Sequence, residues 1–126
     1  MHFPDPVTEF DLRSWVDQLA DSGMDTFVQE IFHQGWTTYW RSKHFEYDPR
    51  EYYGRFDALF NAGIQPIEVL IDQCHQRDME FLAGIRVNDN HGHISVAQGF
   101  GSGSTFITEN PQWQILESAT DVGKKF

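Results

Sequence analysis

Residues 80–88 combine an apolar run with a polar end, and this pattern predicts a β-strand that opens onto a site. Successive strand side chains point to opposite faces, so Phe81 and Ala83 lie on a face that is apolar throughout. The other face begins with small or apolar residues and ends in Arg86 and Asn88. Parallel α/β sheets place ligand sites at the carboxyl ends of their strands. Arg86, Asn88 and the loop that follows them are therefore candidate site residues.

The rest of the pattern predicts a second strand and three helices. Residues 25–32 form a strand-length apolar run, and helices are predicted from Thr8 to Gly23, from Pro49 to Gly63 and from Pro66 onward. Apolar residues recur at helical spacing in each helix, namely Leu12, Trp15, Val16 and Leu19, then Tyr52, Phe56, Leu59 and Phe60, then Ile67, Leu70, Ile71 and Cys74. Helix, strand, two helices and strand in that order predict an α/β protein in which strands 25–32 and 80–88 are adjacent and parallel.

Two strands leave the predicted sheet incomplete. A two-stranded parallel sheet has two unpaired edges and one face without enough cover from its helices. The chain therefore either recruits strands from a partner, as a homo-oligomer formed through its sheet edges, or supplies one portion of a larger barrel or sheet.

Composition narrows the classes of partner. The chain has 126 residues, enough for one domain, and a formal net charge of −10. Its basic run is confined to Lys124 and Lys125, which argues against nucleic acid as a partner. A single cysteine, Cys74, excludes an intrachain disulfide and a cysteine-based zinc cluster, and no cofactor is expected. The sequence has no apolar run of about 20 residues and no signal-peptide pattern, so we expect no membrane partner and a cytoplasmic location.

Residues 33–47 predict a ligand-binding loop after the first strand. Aromatic residues make up 15% of the chain, and this segment combines them with basic side chains. Loops that follow strands carry specificity in α/β proteins. Its candidate ligand-binding residues are Trp36, Tyr39, Trp40 and Arg41. The aromatic rings are suited to stacking on sugar rings, and they are equally suited to closing the end of a barrel.

Three segments resemble the family-10-like glycosyl hydrolase proteins of bacteria. Residues 66–77 and the strand after them resemble that family's "DPL…LI..AH.RG" element before a barrel strand, and residues 109–113 (Glu-Asn-Pro-Gln-Trp) resemble its "NP.W". Residues 35–42 are similar to its "G…Y.S" element. Together these matches span most of residues 9–116. The family usually has glycine where this chain has Asp78, a tolerable change because Asp can adopt the left-handed conformation at a helix end.

The resemblance implies a partial TIM (β/α) barrel with carbohydrate as its ligand. A full barrel needs about 200 residues or more, so residues 1–126 would form a single domain that is a fragment of a (β/α)8 barrel. Related glycosidases carry their catalytic carboxylates on later strands. A glycoside hydrolase-like function, the hydrolysis of O-glycosyl bonds, would therefore require the full barrel, and this fragment would bind sugar without turnover.

Several candidate residues admit more than one interpretation. Glu30, near a strand end among phenylalanines, is the candidate catalytic acid, and its structural alternative is an ion pair with Arg86. His91 and His93 are candidate sugar contacts beside Asn88, whereas a divalent-metal site with Asp89 and a solvated loop are the alternatives. The competing function is a non-catalytic small α/β protein that binds carbohydrate or oligomerises through its sheet edges.

Overall fold

The computed structural model describes residues 4–32, 37–47 and 51–85, together with residues 105, 109, 110 and 112. In chain order the elements are α1 (Glu9–Asp21), β1 (Thr26–Glu30), a 3-10 helix (Glu51–Phe56), α2 (Asp57–Asn61), α3 (Pro66–Gln76) and β2 (Glu80–Gly84). The described residues therefore form a small α/β fold with three α-helices and a two-stranded parallel sheet. Among them, no helix is both long enough and apolar enough to cross a membrane.

The sheet confirms the predicted pairing of the two strands. β1 and β2 are parallel, with Thr26 opposite Glu80 and Glu30 opposite Gly84. The ladder continues one residue further at its carboxyl end, where the Ile31 amide donates to the Gly84 carbonyl at 2.9 Å. The predicted end of the second strand, residues 86–88, lies outside the described residues.

Helix α1 begins and ends as its sequence predicts. Thr8 is the N-cap, and it forms a capping box in which its side chain accepts from the Asp11 amide while the Asp11 carboxylate accepts from the Thr8 amide at 2.8 Å. Gly23 follows the helix with a φ of 88°, a left-handed conformation that glycine adopts without steric cost. Leu12 and Val16, two of the predicted apolar stripe, are buried.

The second predicted helix differs from the structure in its first half. Residues 51–56 form a 3-10 helix, and the α-helical part is limited to the five residues of α2. Gly54 lies inside the tighter segment, where its low α-helical propensity weakens the α-helical alternative. The predicted end is confirmed, because Gly63 follows α2 with a φ of 76°.

Helix α3 begins at Pro66 as predicted, but its buried face is rotated from the expected one. Val69, Leu70, Gln73 and Cys74 are buried, whereas Ile71 is partly exposed. The rotation arises because α3 packs along α1, and the Gln73 side chain bonds to polar side chains of that helix. Burial also raises the pKa of the Cys74 thiol, which keeps it protonated.

A tight turn with a left-handed residue joins α3 to β2. Asp78 has a φ of 54°, a left-handed conformation that Asp can adopt at a helix end. The turn is closed by the Met79 amide, which donates to the Cys74 carbonyl at 2.8 Å. Met79 is buried, so the residue immediately before β2 is part of the core.

The core lies between the helices and one face of the sheet. Phe27 of β1 is buried, with Trp15 of α1 edge-on at 5.1 Å and Phe81 of β2 stacked at 5.8 Å between ring centroids. On the opposite face, Val28 and Leu82 are 66% and 42% exposed. We call this opposite surface the open face of the sheet.

A polar network joins α1 to α3 beside the core. Arg13 donates to Asp72 at 2.7 Å and to the Gln73 side-chain oxygen at 2.9 Å. Gln73 in turn donates to Asp17 at 2.7 Å, and Arg77 donates to the same carboxylate at 2.8 Å. The buried Gln73 amide is therefore satisfied on both its oxygen and its nitrogen, as a buried amide must be.

This network predicts loss of stability in acid. Hydrogen bonds from Gln73 and Arg77 lower the pKa of Asp17 below its ordinary 3.8, and a bond from Arg13 does the same for Asp72. Because the folded-state pKa values are lowered, their stabilisation is present above the ordinary pKa and is lost as the pH falls through the folded values. Thermal unfolding should show a melting temperature that drops between about pH 5 and about pH 2, and Asp17→Asn should flatten that drop. Glu68→Gln, at an exposed carboxylate of α3, is the control, and parallel acid curves for Asp17→Asn and the parent would contradict the assignment.

The turn at Asp78 gives a second prediction. Alanine pays a steric penalty at a positive φ and glycine does not, so Asp78→Ala should have a free energy of unfolding about 1 kcal/mol below that of Asp78→Gly. Urea titration of the two variants measures the difference. Equal stabilities would show that the left-handed conformation is not maintained in solution.

Candidate functional site

The candidate site is built on residues 37–47, which we call the aromatic loop. It follows β1 and is tied to the carboxyl end of that strand by two contacts. The Trp40 indole N–H donates to the Ile31 carbonyl at 3.0 Å, and Phe45 packs edge-on against Phe32 at 4.6 Å. The predicted loop after the first strand therefore lies where parallel sheets hold their ligands.

The buried residue Thr38 joins the two ends of the aromatic loop by hydrogen bonds. Thr38 is fully buried, its amide donates to the Glu46 carbonyl at 2.8 Å, and its hydroxyl donates to the Trp40 carbonyl at 2.8 Å. At the tip, the Ser42 hydroxyl accepts from the His44 amide at 3.1 Å. These bonds order the loop before any ligand arrives, which lowers the entropy cost of binding.

Gln65 clamps the aromatic loop to the start of α3. Its side-chain oxygen accepts from the Arg41 amide, and its side-chain nitrogen donates to the Arg41 carbonyl, both at 3.1 Å. Gln65 is also the N-cap residue of α3, yet its side chain makes no capping bond to that helix. The side-chain amide group of Gln65 instead bonds to the backbone of the loop at Arg41.

The Arg41 side chain lies over two aromatic rings. Its guanidinium carbon is 4.3 Å from the ring centroid of Tyr47 and 5.1 Å from that of Phe60, and the two rings meet edge-on at 5.5 Å. Asp57 of α2 lies 3.9 Å from the nearest guanidinium nitrogen. Cation–π attraction therefore orients a guanidinium that remains 54% exposed.

Tyr39 connects the aromatic loop to the polar end of β1. Burial raises the pKa of its phenol above the ordinary value of 10.0, the Glu30 carboxylate adds to the rise, and a hydrogen bond with Gln29 opposes it. The phenol is therefore neutral at physiological pH.

Glu30 lies at the carboxyl end of β1 with an exposed side chain. Strand alternation places it on the open face with Val28, opposite Gly84 of β2. Phe27, three residues before it in the strand, points to the other face and is buried there. Its structural alternative, an ion pair with Arg86, involves a residue outside the described part of the chain.

Several predicted site residues fall outside the described residues: Trp36, Arg86, Asn88, His91 and His93, together with Asp89 of the metal alternative. The structure brings Glu30, Tyr39, Trp40 and Arg41 to one end of the sheet. Within residues 4–32, 37–47 and 51–85 and the four isolated positions, no group of three His, Cys, Asp or Glu side chains is arranged to hold a metal ion.

Two glutamines of the site were not predicted from the sequence. Gln65 immediately precedes the predicted start of α3, and Gln29 lies within the first predicted strand. Their roles depend on partners 24 residues away for Gln65 and across the loop for Gln29. A helix-start signal in the sequence located Gln65, but local pattern carries no information about its tertiary partner.

No known protein-family model, curated protein or solved structure matches this chain. The resemblance to the glycosyl hydrolase family therefore depends on the sequence segments described above.

The Gln65 clamp predicts a local effect of mutation. Gln65→Leu keeps the size of the side chain and removes both bonds to Arg41, so the Arg41 amide should exchange its hydrogen faster. The free energy of unfolding should fall by only about 1 kcal/mol, because the bonds are near the surface. Hydrogen exchange and urea titration measure the two quantities. Gln76→Leu, on the exposed end of α3, is the control, and unchanged exchange at Arg41 would argue against the clamp.

Proposed function

We propose that this chain is part of the wall of a (β/α) barrel of the glycoside hydrolase-like kind and that it binds carbohydrate through the aromatic loop. The observation that carries the proposal is the position of the loop at the carboxyl end of a parallel strand pair, tied there by Trp40 and Ile31. As it stands, the chain binds sugar without hydrolysing it.

The arrangement of helices supports a barrel wall. Helices α1 and α3 share the core with Phe27, on one face of the parallel sheet. The opposite face presents exposed apolar side chains at Val28 and Leu82. In a TIM barrel all helices lie outside, and bulky branched side chains of the strands fill the interior. Further strands would bury this open face.

The chemistry of the aromatic loop supports carbohydrate as the ligand. Trp40 is partly exposed although its indole N–H is already bonded, so the ring face remains to pack on the apolar face of a sugar. The exposed Glu30 carboxylate at the same end of the sheet is an acceptor for sugar hydroxyls. Apolar surface with a few fixed polar groups is the usual composition of a small-molecule site.

Spacing of the strand carboxylates argues against hydrolysis by the described part of the chain. Glycosidases need two carboxyl groups about 5–5.5 Å or about 6.5–9.5 Å apart. The two described strands carry Glu30 at the carboxyl end and Glu80 at the opposite end, four residues apart in register. At about 3.3 Å per residue this separates their backbones by about 13 Å. The separation of Glu30 and Glu80 is therefore greater than either glycosidase geometry requires.

The second candidate function is self-association through the sheet. Its supporting observations are that β1 and β2 each have one neighbour among the described residues and that Val28 and Leu82 are exposed on the open face. Sedimentation equilibrium discriminates the two cases. A dimer whose association is abolished by Val28→Lys and unaffected by sugar would favour self-association, whereas a monomer that binds sugar would exclude it.

The carbohydrate proposal predicts binding without turnover. The purified chain is titrated with a panel of oligosaccharides, and binding is measured by intrinsic tryptophan fluorescence and by calorimetry. At least one oligosaccharide of the panel should bind. Trp40→Ala should weaken that binding about tenfold or more, and Trp40→Phe, which keeps a ring, should weaken it less. Phe10→Ala, at an exposed aromatic residue of α1, is the control.

Two outcomes would overturn this proposal in different ways. A panel without any binding would remove the carbohydrate function itself. Release of reducing sugar by the parent chain, lost in Glu30→Gln, would show that the chain is an enzyme and that a second carboxylate acts with Glu30.

A further inference from the structure

Arg41 is a cation of the aromatic loop in a chain whose formal net charge is −10. Its backbone is fixed on both sides by Gln65, and its guanidinium lies over Tyr47 and Phe60. Both restraints reduce the conformational entropy that a long side chain loses when it binds a ligand. Arg41 is therefore placed as a rigid donor rather than as a freely moving surface charge.

The described contacts of Arg41 leave its donors available. The Asp57 carboxylate is 3.9 Å from the guanidinium, longer than the about 2.7–2.9 Å of a charge-assisted hydrogen bond. Both side chains are more than half exposed, so the attraction between them is weak. Arg13 and Arg77 differ, because they donate to carboxylates at 2.7 and 2.8 Å. Among these three described arginines, Arg41 is the one whose nearest carboxylate is beyond hydrogen-bonding distance.

A carboxylate is the ligand group that fits this arrangement. The planar guanidinium presents parallel N–H groups that match the two oxygens of a carboxylate, and stacking on Tyr47 keeps that plane in place. Such a pair is stronger than a bond to a neutral hydroxyl, and it discriminates by geometry as well as by charge. Arg41 directly follows Trp40, the proposed sugar platform, so both residues belong to the aromatic loop.

We propose that the aromatic loop selects an acidic carbohydrate, a sugar chain bearing uronic acid, whose carboxylate receives two hydrogen bonds from Arg41. The inference rests on the proposed function, since it names the class of sugar that the same loop binds. The wider negative charge of the chain repels anions, and the selectivity therefore comes from a local, oriented contact.

The test compares an acidic oligosaccharide with its neutral counterpart. Calorimetry measures the dissociation constants of oligogalacturonate and of the same oligosaccharide with its carboxylates reduced to alcohols. The parent chain should bind the acidic form about tenfold or more tightly than the reduced form. In Arg41→Gln the ratio of the two constants should fall to about one, and Arg41→Lys should recover only part of it, because an ammonium group lacks the planar fork.

Lys43 provides a matched control. It is an exposed cation two residues away in the aromatic loop, and no aromatic stacking of its side chain is seen within the described residues. Lys43→Gln removes the same charge and should keep the parent's ratio. Melting temperatures of all variants verify that each is folded before its ratio is interpreted.

The outcomes separate this inference from the proposal beneath it. A parent chain that binds the reduced and acidic forms equally, or an Arg41→Gln variant that keeps the preference, overturns the acidic-sugar inference and leaves carbohydrate binding intact. If Lys43→Gln loses the preference for the acidic form as fully as Arg41→Gln does, the preference comes from the positive charge of the loop in general and not from an oriented contact of Arg41. A chain that binds neither these oligosaccharides nor any member of the neutral panel removes the proposed function as well.

Discussion

The packing of Phe27 against α1 and β2 is the constraint on which the rest of the described structure depends. Trp15 meets its ring edge-on, Phe81 stacks on it, and both helices α1 and α3 contribute to the same core. Two paired strands form a stable unit only when one face is packed against other elements. Because this packing uses one face of the sheet, it leaves the opposite face and the carboxyl ends of the strands for other purposes.

The aromatic loop depends on that arrangement for its order. Trp40 binds it to the residue after β1, and Gln65 binds it to the start of α3. These two anchors belong to elements that are themselves held by the core. A loop restrained from both sides can hold Tyr39 near Glu30 and Arg41 over Tyr47 in the absence of ligand. Preorganisation of this kind is what a surface loop needs in order to bind with useful affinity.

The acidic residues of the chain serve two different local purposes. On α1 and α3, Asp17 and Asp72 accept from arginine and glutamine side chains, so their charges join the two helices. At the site, Asp57 lies near Arg41 but is beyond hydrogen-bonding distance of its guanidinium. The high negative charge of the chain is therefore compatible with the proposed anion contact, because that contact is made by one oriented cation.

Local features of the fold were determined by the sequence itself. Thr8 with Asp11 predicted the start of α1, Gly23 and Gly63 predicted helix ends, and the order of elements predicted two adjacent parallel strands. Each depends on residues close in sequence, where capping geometry, left-handed backbone and side-chain alternation act. The aromatic loop was located in the same way, from its composition and its place after a strand.

The tertiary structure alone decided which side chains meet. Three features depend on how elements distant in the sequence pack together. They are the rotation of α3 that buries Gln73, the exposed position of Glu30, and the two bonds between Gln65 and Arg41. Sequence pattern reports which face of an element is apolar, whereas the partner of each polar group is set only when the elements pack together.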